Sequence, residues 1–393
     1  MAVLVASACL LAWPRASPLE PRNAGHPSGD RVWAWWFLVL LVAAFAAYAA
    51  GIVLVRARPP RRAVVAALAC VVQLSPLAAP LLLSTDAWAY WDYGRLAAVH
   101  DLNPYEHAPD SAPDDPAFPW VGSAWRDSIS VYGPAFTLVS EPVTLAAGSS
   151  ADAVAWIYKT LAAVAVLAAA FLASRLSPRP VLALAFVGWN PLLAVHFGGG
   201  GHNDAWLAAL VVAALACGAA RRPRLAGACW ALAIGVKWIP LALLPLRALH
   251  ARSTGRRIDH LGLFATAAAV GALATWRYGL AWTHVFARLF HNAGVETKFA
   301  LPHRLTQLGV PHGVSVVAFA LAFLALYVVL LRRAARGANV LALATCGLLL
   351  VTPYLTVWYV VWALPLAAAE DDEWAGLLTL ALGAYLLRQT VPL

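Results

Sequence analysis

Residues 33–55 have the sequence WAWWFLVLLVAAFAAYAAGIVLV, an apolar run without a charged side chain. A helix needs about 20 such residues to cross a hydrocarbon core of about 30 Å. The rest of the chain is similarly apolar, because 62% of its 393 residues are hydrophobic and 12% are charged, whereas soluble domains average roughly 45–50% and about 25%. The composition therefore excludes a soluble globular protein and predicts an all-α, polytopic transmembrane helical bundle.

Apolar stretches recur along the chain and predict about 10 to 12 membrane segments, which leaves no room for a separate soluble domain. We therefore expect one transmembrane domain over residues 1–393. The predicted spans are 33–55, 63–83, 151–174, 180–197, 205–220, 259–278, 313–331 and 338–353, with short candidates at 357–369 and 375–390. Residues 2–13 fit either a truncated first span or an uncleaved signal-like segment.

Charged residues lie between these spans in an asymmetric pattern. Five loops carry arginine clusters, and the positive-inside rule makes these loops cytoplasmic. The clusters are Arg56, Arg58, Arg61 and Arg62; Arg175 and Arg179; Arg221, Arg222 and Arg224; Arg247, Arg252, Arg256 and Arg257; and Arg332, Arg333 and Arg336. Most carboxylates fall in other loops, so loops 84–150 and 279–312 and the turn 198–204 are predicted to share the outer face. The net charge of +9 follows from this topology, and no nucleic-acid partner is expected.

Residues 225–247 pose a topological problem, because a single crossing would place the basic residues that follow on the outer side. Two half-length helices that turn at Lys237-Trp238-Ile239-Pro240 keep both ends cytoplasmic, with the proline starting the second half. We expect this hairpin, and a full span is the alternative.

The five cysteines lie in apolar stretches, without CxxC spacing or neighbouring histidines. This pattern is typical of small core residues and predicts neither a disulfide framework nor a zinc site. We expect no metal site and no cofactor. The cysteines are Cys9, Cys70, Cys217, Cys229 and Cys346.

The first outer loop begins with Asp86, a carboxylate placed directly after a predicted span. Partial desolvation at the membrane boundary raises the basicity of a carboxylate, which suits a general base acting on a lipid-borne substrate. The alternative is that Asp86 caps the helix that follows. That helix is aromatic, and it either lies in the membrane interface or forms part of an ordinary aromatic belt. Its aromatic residues are Trp88, Tyr90, Trp91 and Tyr93.

A glycine-rich turn forms the second candidate. Gly198–Gly201 precede His202, Asn203 and Asp204 at a predicted helix start. Glycines allow close backbone approach or positive φ, and the polar residues offer hydrogen-bond donors and acceptors. The alternative is a plain loop in which Asn203 or Asp204 is only an N-cap. The lysine and hydroxyl residue of a phosphate-binding loop are missing.

Cationic residues form the third candidate. Lys237 lies in an apolar run, where a lysine costs about 2.5–3.5 kcal/mol, so it is expected to serve a site or, alternatively, to snorkel. The second outer loop is cationic and suits a phosphate group, although attraction to lipid headgroups is the alternative. Its polar residues are His284, Arg288, His291, Asn292, Glu296, Lys298, His303 and Arg304.

A proline-broken aromatic segment, residues 352–365, is predicted near the outer surface. Aromatic faces such as those of Trp358 and Tyr359 can stack on a sugar or line an isoprenoid groove. An aromatic belt is again the alternative.

The order of these motifs resembles that of a known family. The motifs are Asp86 with Ala87-Trp88-Ala89-Tyr90, Tyr93-Gly94-Arg95-Leu96, Asn103-Pro104-Tyr105, Tyr132-Gly133-Pro134, Asn190-Pro191-Leu192, Gly201-His202-Asn203-Asp204, Val236-Lys237 and Trp358-Tyr359. Over residues 63–369 they are similar to the polyprenol-phosphate-mannose-dependent α-mannosyltransferases of actinobacteria, of the C-type membrane glycosyltransferase superfamily. The resemblance implies a polyprenyl-phosphate sugar donor, a glycolipid or glycan acceptor and a catalytic aspartate, which here is Asp86.

A mechanism follows from this resemblance and from the residues. Polyprenyl phosphate is a competent leaving group that needs charge stabilisation, whereas the acceptor hydroxyl needs a base. We expect Asp86 to be that base in a single inverting displacement. The candidate ligands of the donor phosphate are His202, Lys298, His303 and Arg304. The expected substrate-binding residues are Tyr90, Asp92, Arg95, Tyr132, Asn203, Asp204, Lys237, Trp358 and Tyr359.

The expected location is the plasma membrane among its lipids, with the active site on the outer face. Three alternatives stay open: a transferase for another polyprenyl-linked sugar such as arabinose, a lipid-linked-sugar transporter or flippase, and a non-catalytic assembly subunit. Transporters typically carry inverted repeats and ionisable groups near the midplane, whereas this chain concentrates such groups in the outer loops.

Overall fold

The computed structural model describes residues 1–21, 29–256, 260–285 and 295–393. Every regular element within these ranges is helical, which confirms the all-α prediction. The α-helices are α1 (Ala2–Leu10), α2 (Arg31–Ala57), α3 (Arg62–Leu74), α4 (Asp86–Ala98), α5 (Pro134–Ala147), α6 (Ala151–Leu176), α7 (Pro180–Gly188), α8 (Pro191–Leu193), α9 (Asp204–Ala219), α10 (Pro223–Val236), α11 (Leu244–Ser253), α12 (His260–Tyr278), α13 (Leu301–Gln307), α14 (His312–Ala335), α15 (Leu341–Val351), α16 (Leu364–Glu370) and α17 (Glu373–Leu386).

Three of these helices are long and apolar enough to cross a membrane by themselves. They are α2, α6 and α14, with 27, 26 and 24 residues. A fourth candidate is the pair Pro180–Gly188 and Pro191–Gly199, which is bent by 42°. Helix α14 exposes large apolar side chains such as Leu321 and Leu324, as expected of a lipid-facing helix. The structure thus supports a polytopic membrane fold, and the count of about 10 to 12 segments stays a prediction.

Proline residues interrupt two of the predicted spans. The span predicted at 63–83 is wrong in its second half, because α3 ends at Leu74 and a 3₁₀-helix at Ser75–Ala78 precedes a non-helical segment. Pro76 and Pro80 cannot donate to a helical hydrogen-bond ladder, which explains this early end. The span predicted at 180–197 likewise breaks before Pro191.

The predicted break in residues 225–247 is confirmed. Helix α10 ends at Val236, a 3₁₀-helix covers Ile239–Leu243, and α11 follows. Pro240 occupies the first turn of the 3₁₀-helix, where its missing N–H has no helical partner to lose. The prediction that both ends face the cytoplasm stays open.

The bundle is built around α6, whose inner face consists largely of alanine. Ala162, Ala163, Ala169 and Ala170 are fully buried, and small side chains let neighbouring helices approach closely. Helix α6 packs against α7 and α9, α9 packs against α10, and α4 packs against α5. This packing brings the beginnings of α4 and α9 and the end of α10 to the same end of the bundle.

Candidate active site

Asp86 and His202 form the centre of the candidate site. Asp86 is the first residue of α4, and His202 lies in the turn before α9. The Nδ1 atom of His202 lies 3.0 Å from Oδ2 of Asp86. The two segments are joined directly, because the Leu82 N–H donates to the Gly199 carbonyl at 3.0 Å. The structure therefore brings Asp86 and the glycine-rich turn, which the sequence suggested separately, into one site.

The glycine turn has the geometry that its sequence predicted. Residues Ala194–Gly199 form a π-helix, a rare element that occurs frequently at functional sites. Gly201 has φ +72°, a conformation that L side chains rarely adopt. A Cβ on Gly198 would lie 2.5 Å from the Gln73 carbonyl oxygen, so this glycine permits close packing on α3. The glycines thus aim His202 at Asp86.

His202 is rigidly held. Its side chain is fully buried, and its ring stacks on Trp358 with 3.8 Å between centroids and 15° between planes. Its Nε2 atom is buried and has no hydrogen-bond partner among the described residues. His202 therefore presents only Nδ1 to Asp86, whose side chain keeps 24% of its surface exposed. Asp86 is the member of the pair that a substrate can reach.

The pKa of Asp86 corrects one expectation. Burial raises the pKa of this carboxyl, but the hydrogen bond and charge of His202, with smaller effects from Ser84 and Lys237, lower it to below its usual range. The prediction that desolvation leaves Asp86 more basic is therefore wrong. Asp86 is instead held ionised, which is the form that can accept a proton at neutral pH.

Asp86 and the residues of the glycine turn are not simple helix caps. Thr85 occupies the N-cap position of α4, and Asp86 is already helical. Asn203 is the N-cap of α9 but makes no capping hydrogen bond through its side chain. Neither Asp86 nor Asp204 is therefore an N-cap, and Asn203 holds the N-cap position without a capping bond from its side chain.

Asp204 and Lys237 form a second pair beside the first. Lys237 Nζ lies 2.7 Å from Asp204 Oδ1, which also accepts from Trp362 Nε1 at 2.7 Å. The ammonium lies 4.8 Å from the ring centroid of Tyr359, a cation–π distance. Pairing with Asp204, rather than snorkelling alone, accounts for Lys237 in its apolar run.

Tyr90 and Asn203 connect the two segments that carry the site. The Asn203 N–H donates to the Tyr90 hydroxyl at 3.4 Å, and the Tyr90 ring meets Tyr132 edge-on with centroids 5.0 Å apart. Both polar atoms of the Asn203 amide are buried without a partner within the described ranges. Such atoms are costly to leave unpaired, and a bound ligand with hydroxyl groups would satisfy them.

The aromatic residues of α4 are core residues. Trp88, Tyr90, Trp91 and Tyr93 are each 6% exposed or less. The aromatic-belt interpretation of these four residues is therefore wrong. Their burial fixes α4 against α5 and α6, so the position of Asp86 is set by packed rings.

The turn at Tyr132-Gly133-Pro134 brings a further side chain to the pairs. The Gly133 N–H donates to the Val236 carbonyl at 3.0 Å. A Cβ on Gly133 would collide with the Gly235 carbonyl oxygen, so a glycine is required here. Burial and the negative charge of Asp86 raise the pKa of Tyr132 well above its usual range, which keeps the phenol neutral.

Arg95 and Asp92 have different surroundings from those expected. Arg95 Nε donates to Asp115 Oδ1 at 2.6 Å, and both side chains are largely buried. Arg95 is therefore paired with Asp115 and not with Asp92. Asp92 is 2% exposed, its Oδ1 has no partner among described groups, and burial followed by the charge of Asp115 raises its pKa to about 7. A substrate-binding role for either residue stays a prediction.

The cationic second loop forms its own network. His303 and His312 each lie 2.8 Å from a Glu296 oxygen, and Arg304 Nε donates to the Tyr385 hydroxyl at 2.8 Å. Lys298 is exposed. Of the four predicted phosphate ligands, the described contacts bring only His202 to Asp86. The residues Arg288, His291 and Asn292 lie outside the described residues.

Sequence reasoning missed Lys159. This residue is 2% exposed, and its Nζ donates to the carbonyls of Leu77, Ala79 and Pro80. It thereby satisfies the end of the broken helix that leads to Asp86. The signal was available, because Lys159 lies within a predicted span just as Lys237 lies in an apolar run.

Comparison with known proteins shows the family of the chain. Residues 2–253, which contain Asp86, His202, Asp204 and Lys237, match the sequence model of the family described as alpha-(1->6)-mannopyranosyltransferase, N-terminal domain. The chain belongs to this family. The family resemblance drawn from the motifs is therefore confirmed.

Two relatives of known family are similar to the chain in sequence. The chain is 33% identical to alpha-(1->6)-mannopyranosyltransferase A of Mycobacterium tuberculosis over 150 residues, which are 35% of this chain and 28% of that protein. It is 25% identical to a probable alpha-(1->6)-mannopyranosyltransferase of Mycolicibacterium smegmatis over 352 residues, 74% of this chain and 62% of that protein. The chain thus spans less than two thirds of either relative. No solved structure matches the chain.

Proposed function

We propose that the protein transfers a mannosyl residue from a polyprenyl-phosphate donor to a glycolipid or glycan acceptor with inversion, and that Asp86 is the general base. The observation that carries this proposal is the partly open Asp86 carboxylate, held ionised by buried His202 beside unpaired polar atoms. Membership of the alpha-(1->6)-mannopyranosyltransferase family supports mannose as the sugar.

The reaction needs one base. The acceptor oxygen attacks the anomeric carbon, the bond from that carbon to the phosphate oxygen breaks, and the electron pair leaves with polyprenyl phosphate. The acceptor proton passes to Asp86. General-base catalysis of this kind typically accelerates a reaction by about 10²–10⁴-fold. A single displacement inverts the anomeric centre, so a β-linked donor gives an α-linked product. Unlike a glycosidase, this scheme needs one carboxylate rather than two.

The departing phosphate needs a cation. Lys237 acts electrostatically on Asp86 and is held on the faces of Tyr359 and Trp362. We therefore assign Lys237 to the donor phosphate ahead of Lys298, His303 and Arg304, whose described contacts lie elsewhere. A positioned cation at a developing negative charge stabilises the transition state without a proton transfer.

The sugar is expected to lie between the two pairs. The unpaired amide of Asn203 offers both a donor and an acceptor to its hydroxyl groups. Tyr359, beside Lys237, and Tyr132, beside Tyr90, add aromatic surface. We place this site on the outer face of the plasma membrane, because the loops that form it lack the arginine clusters of the opposite end.

Purified protein incubated with labelled polyprenyl-phosphate mannose, and in parallel with the arabinose donor, tests the proposal. The expected result is release of polyprenyl phosphate that depends on an added glycolipid or glycan acceptor, with the mannosyl label transferred to that acceptor in an α-linkage. Preference for arabinose would change the substrate but keep the chemistry. Gradient-dependent uptake of the lipid-linked sugar by proteoliposomes, without cleavage, would replace the enzyme by a transporter.

A further inference from the structure

A polar cavity lies at the opposite end of the bundle from Asp86. Helix α9 begins at Asp204 in the candidate active site, and Ala219 at its other end lines this cavity. At a rise of 1.5 Å per residue the two sites are about 22 Å apart along the helix. Helix α6 also connects the two ends. Its first residue, Ala151, accepts a hydrogen bond from Trp88 of α4, and Leu176 in its last turn lines the cavity. The cavity is therefore separate from the proposed site of sugar transfer.

The cavity has the size of a ligand site. Its volume is about 320 Å³, within the range of small-molecule pockets. Apolar side chains form one part of its wall, and polar groups form the other. The polar lining residues are Arg247, His250, Thr254, Arg256, Asn339 and Glu370. A mixed wall of this kind suits a polar group that is attached to, or lies beside, hydrocarbon.

Two arginines at the cavity are available for an anion. Neither guanidinium group, of Arg247 or of Arg256, forms a hydrogen bond or ion pair with another described residue, and the two charges act on one another. Glu370 acts on Arg247 with the opposite charge, but one carboxylate does not balance two guanidinium groups, so a further anion is favoured between them. Guanidinium groups bind phosphate oxygens through paired N–H donors.

The acidic residue of the cavity is already occupied. The Glu370 oxygens accept from the N–H groups of Leu341 and Ala342 at 3.1 and 3.0 Å. This carboxylate thus caps α15, and the helix N-terminus offsets its charge. His250 Nδ1 lies 3.1 Å from the Ala338 carbonyl and therefore donates to it. Burial, together with the two arginines, lowers the pKa of His250, so its Nε2 is an acceptor suited to a hydroxyl group.

We propose that this cavity binds a phosphate group carrying hydroxyls, held by Arg247 and Arg256 at the membrane surface opposite the transfer site. Two sources have this chemistry, an anionic phospholipid headgroup and a soluble phosphate. Basic pockets between transmembrane helices on the arginine-rich side of a membrane protein are typical sites for phospholipid headgroups. The proposal does not depend on the sugar or the acceptor of the transfer reaction.

Binding by the intact protein in detergent tests the proposal. Phosphatidylglycerol and phosphatidylcholine are added in parallel, and bound lipid is measured by native mass spectrometry. Inorganic phosphate is titrated separately and followed by calorimetry. The variants are Arg247→Gln and Arg256→Gln, with Arg332→Gln as the control because it removes an exposed arginine of the basic side that does not line the cavity. Since Arg256 is exposed, its variant is expected to fold normally.

Selective binding of phosphatidylglycerol that falls at least about tenfold in both cavity variants, but not in Arg332→Gln, supports a lipid headgroup. Binding of inorganic phosphate with the same dependence supports a soluble phosphate. The proposal is overturned if neither probe binds, or if Arg332→Gln weakens binding as much as the cavity variants while all unfolding temperatures agree.

Discussion

His202 and Asp86 lie 116 positions apart in the chain, yet Nδ1 of one and Oδ2 of the other are 3.0 Å apart. The contact has two consequences for a reaction at Asp86. The hydrogen bond orients one carboxylate oxygen toward the protein and leaves the other to a substrate. It also lowers the pKa of Asp86 against the opposing effect of burial, so the base is ionised over the neutral range.

This relationship predicts the pH dependence of transfer. Since ionised Asp86 is the active form and its pKa is below the usual range, kcat/KM is expected to stay level through neutral pH and fall only in acid. In His202→Gln the charge of His202 is lost while burial and the smaller effects of Ser84 and Lys237 remain, so the pKa of Asp86 rises and the acid limb moves to higher pH. The pH profile of kcat/KM measures this shift.

His303→Gln is the matched control, because this histidine is also paired with a carboxylate but lies in the Glu296 network. Its acid limb is expected to match that of the unmodified protein. An unmoved limb in His202→Gln, or an equal shift in both variants, would show that His202 does not set the charge of the base.

Lys237 is expected to bind the donor phosphate. Lys237→Met alone would leave Asp204, which is 1% exposed, as an unpaired buried charge and would unfold the site for that reason. The double variant Lys237→Met with Asp204→Asn removes both charges and still lets residue 204 accept from Trp362. We expect its KM for the lipid donor to rise about tenfold to a hundredfold, as for loss of a charge-assisted contact.

Arg304→Ala distinguishes this assignment from the one that the sequence suggested. Arg304 donates to Tyr385 and Gln307, so its loss is expected to change donor use little. Steady-state kinetics with varied donor and fixed acceptor give the KM for the lipid donor in Arg304→Ala and in the double variant. A large effect of Arg304→Ala with none in the double variant would return the phosphate to the second outer loop.

The topology predicts which surfaces react with a membrane-impermeant maleimide. In a cysteine-free background, Asp127→Cys is expected to label on intact cells, whereas Arg222→Cys and Arg252→Cys label only after permeabilisation. The latter two lie at the start of α10 and at the end of α11, on either side of the predicted hairpin. All three native side chains are exposed. Labelling of 222 and 252 from opposite sides would replace the hairpin by a full span, and protection of 127 on intact cells would invert the site.

The sequence predicts which residues belong to this site better than it predicts which of them contact one another. Asp86, the glycine turn and Lys237 each stand out locally, as a charge or a flexible turn beside hydrocarbon. The contacts between them join distant segments, and packing of α4, α9 and α10 decides which residues meet. Arg304 shows the limit, since its charge and loop suggested a phosphate ligand while the fold pairs it with Tyr385. Proline breaks were likewise visible in one segment and overlooked at Pro76 and Pro80.

The last prediction separates catalysis from structure at Asp86. Asp86→Asn keeps the size and shape of the side chain and an oxygen that accepts from His202 Nδ1. The fold and the His202 position are therefore expected to survive, whereas the base is lost. Turnover at saturating donor should fall at least about a hundredfold, as expected when general-base catalysis is removed.

Asp92→Asn is the control on the same helix. Asp92 is buried and its pKa is raised to about 7, so an uncharged amide of the same shape replaces a carboxyl that is already partly neutral, and the loss of activity is expected to be milder. Both variants are compared as purified protein at matched unfolding temperatures. Near-normal turnover in Asp86→Asn with loss in Asp92→Asn would assign the base to Asp92, and full activity in both would exclude a mechanism with a single carboxylate base.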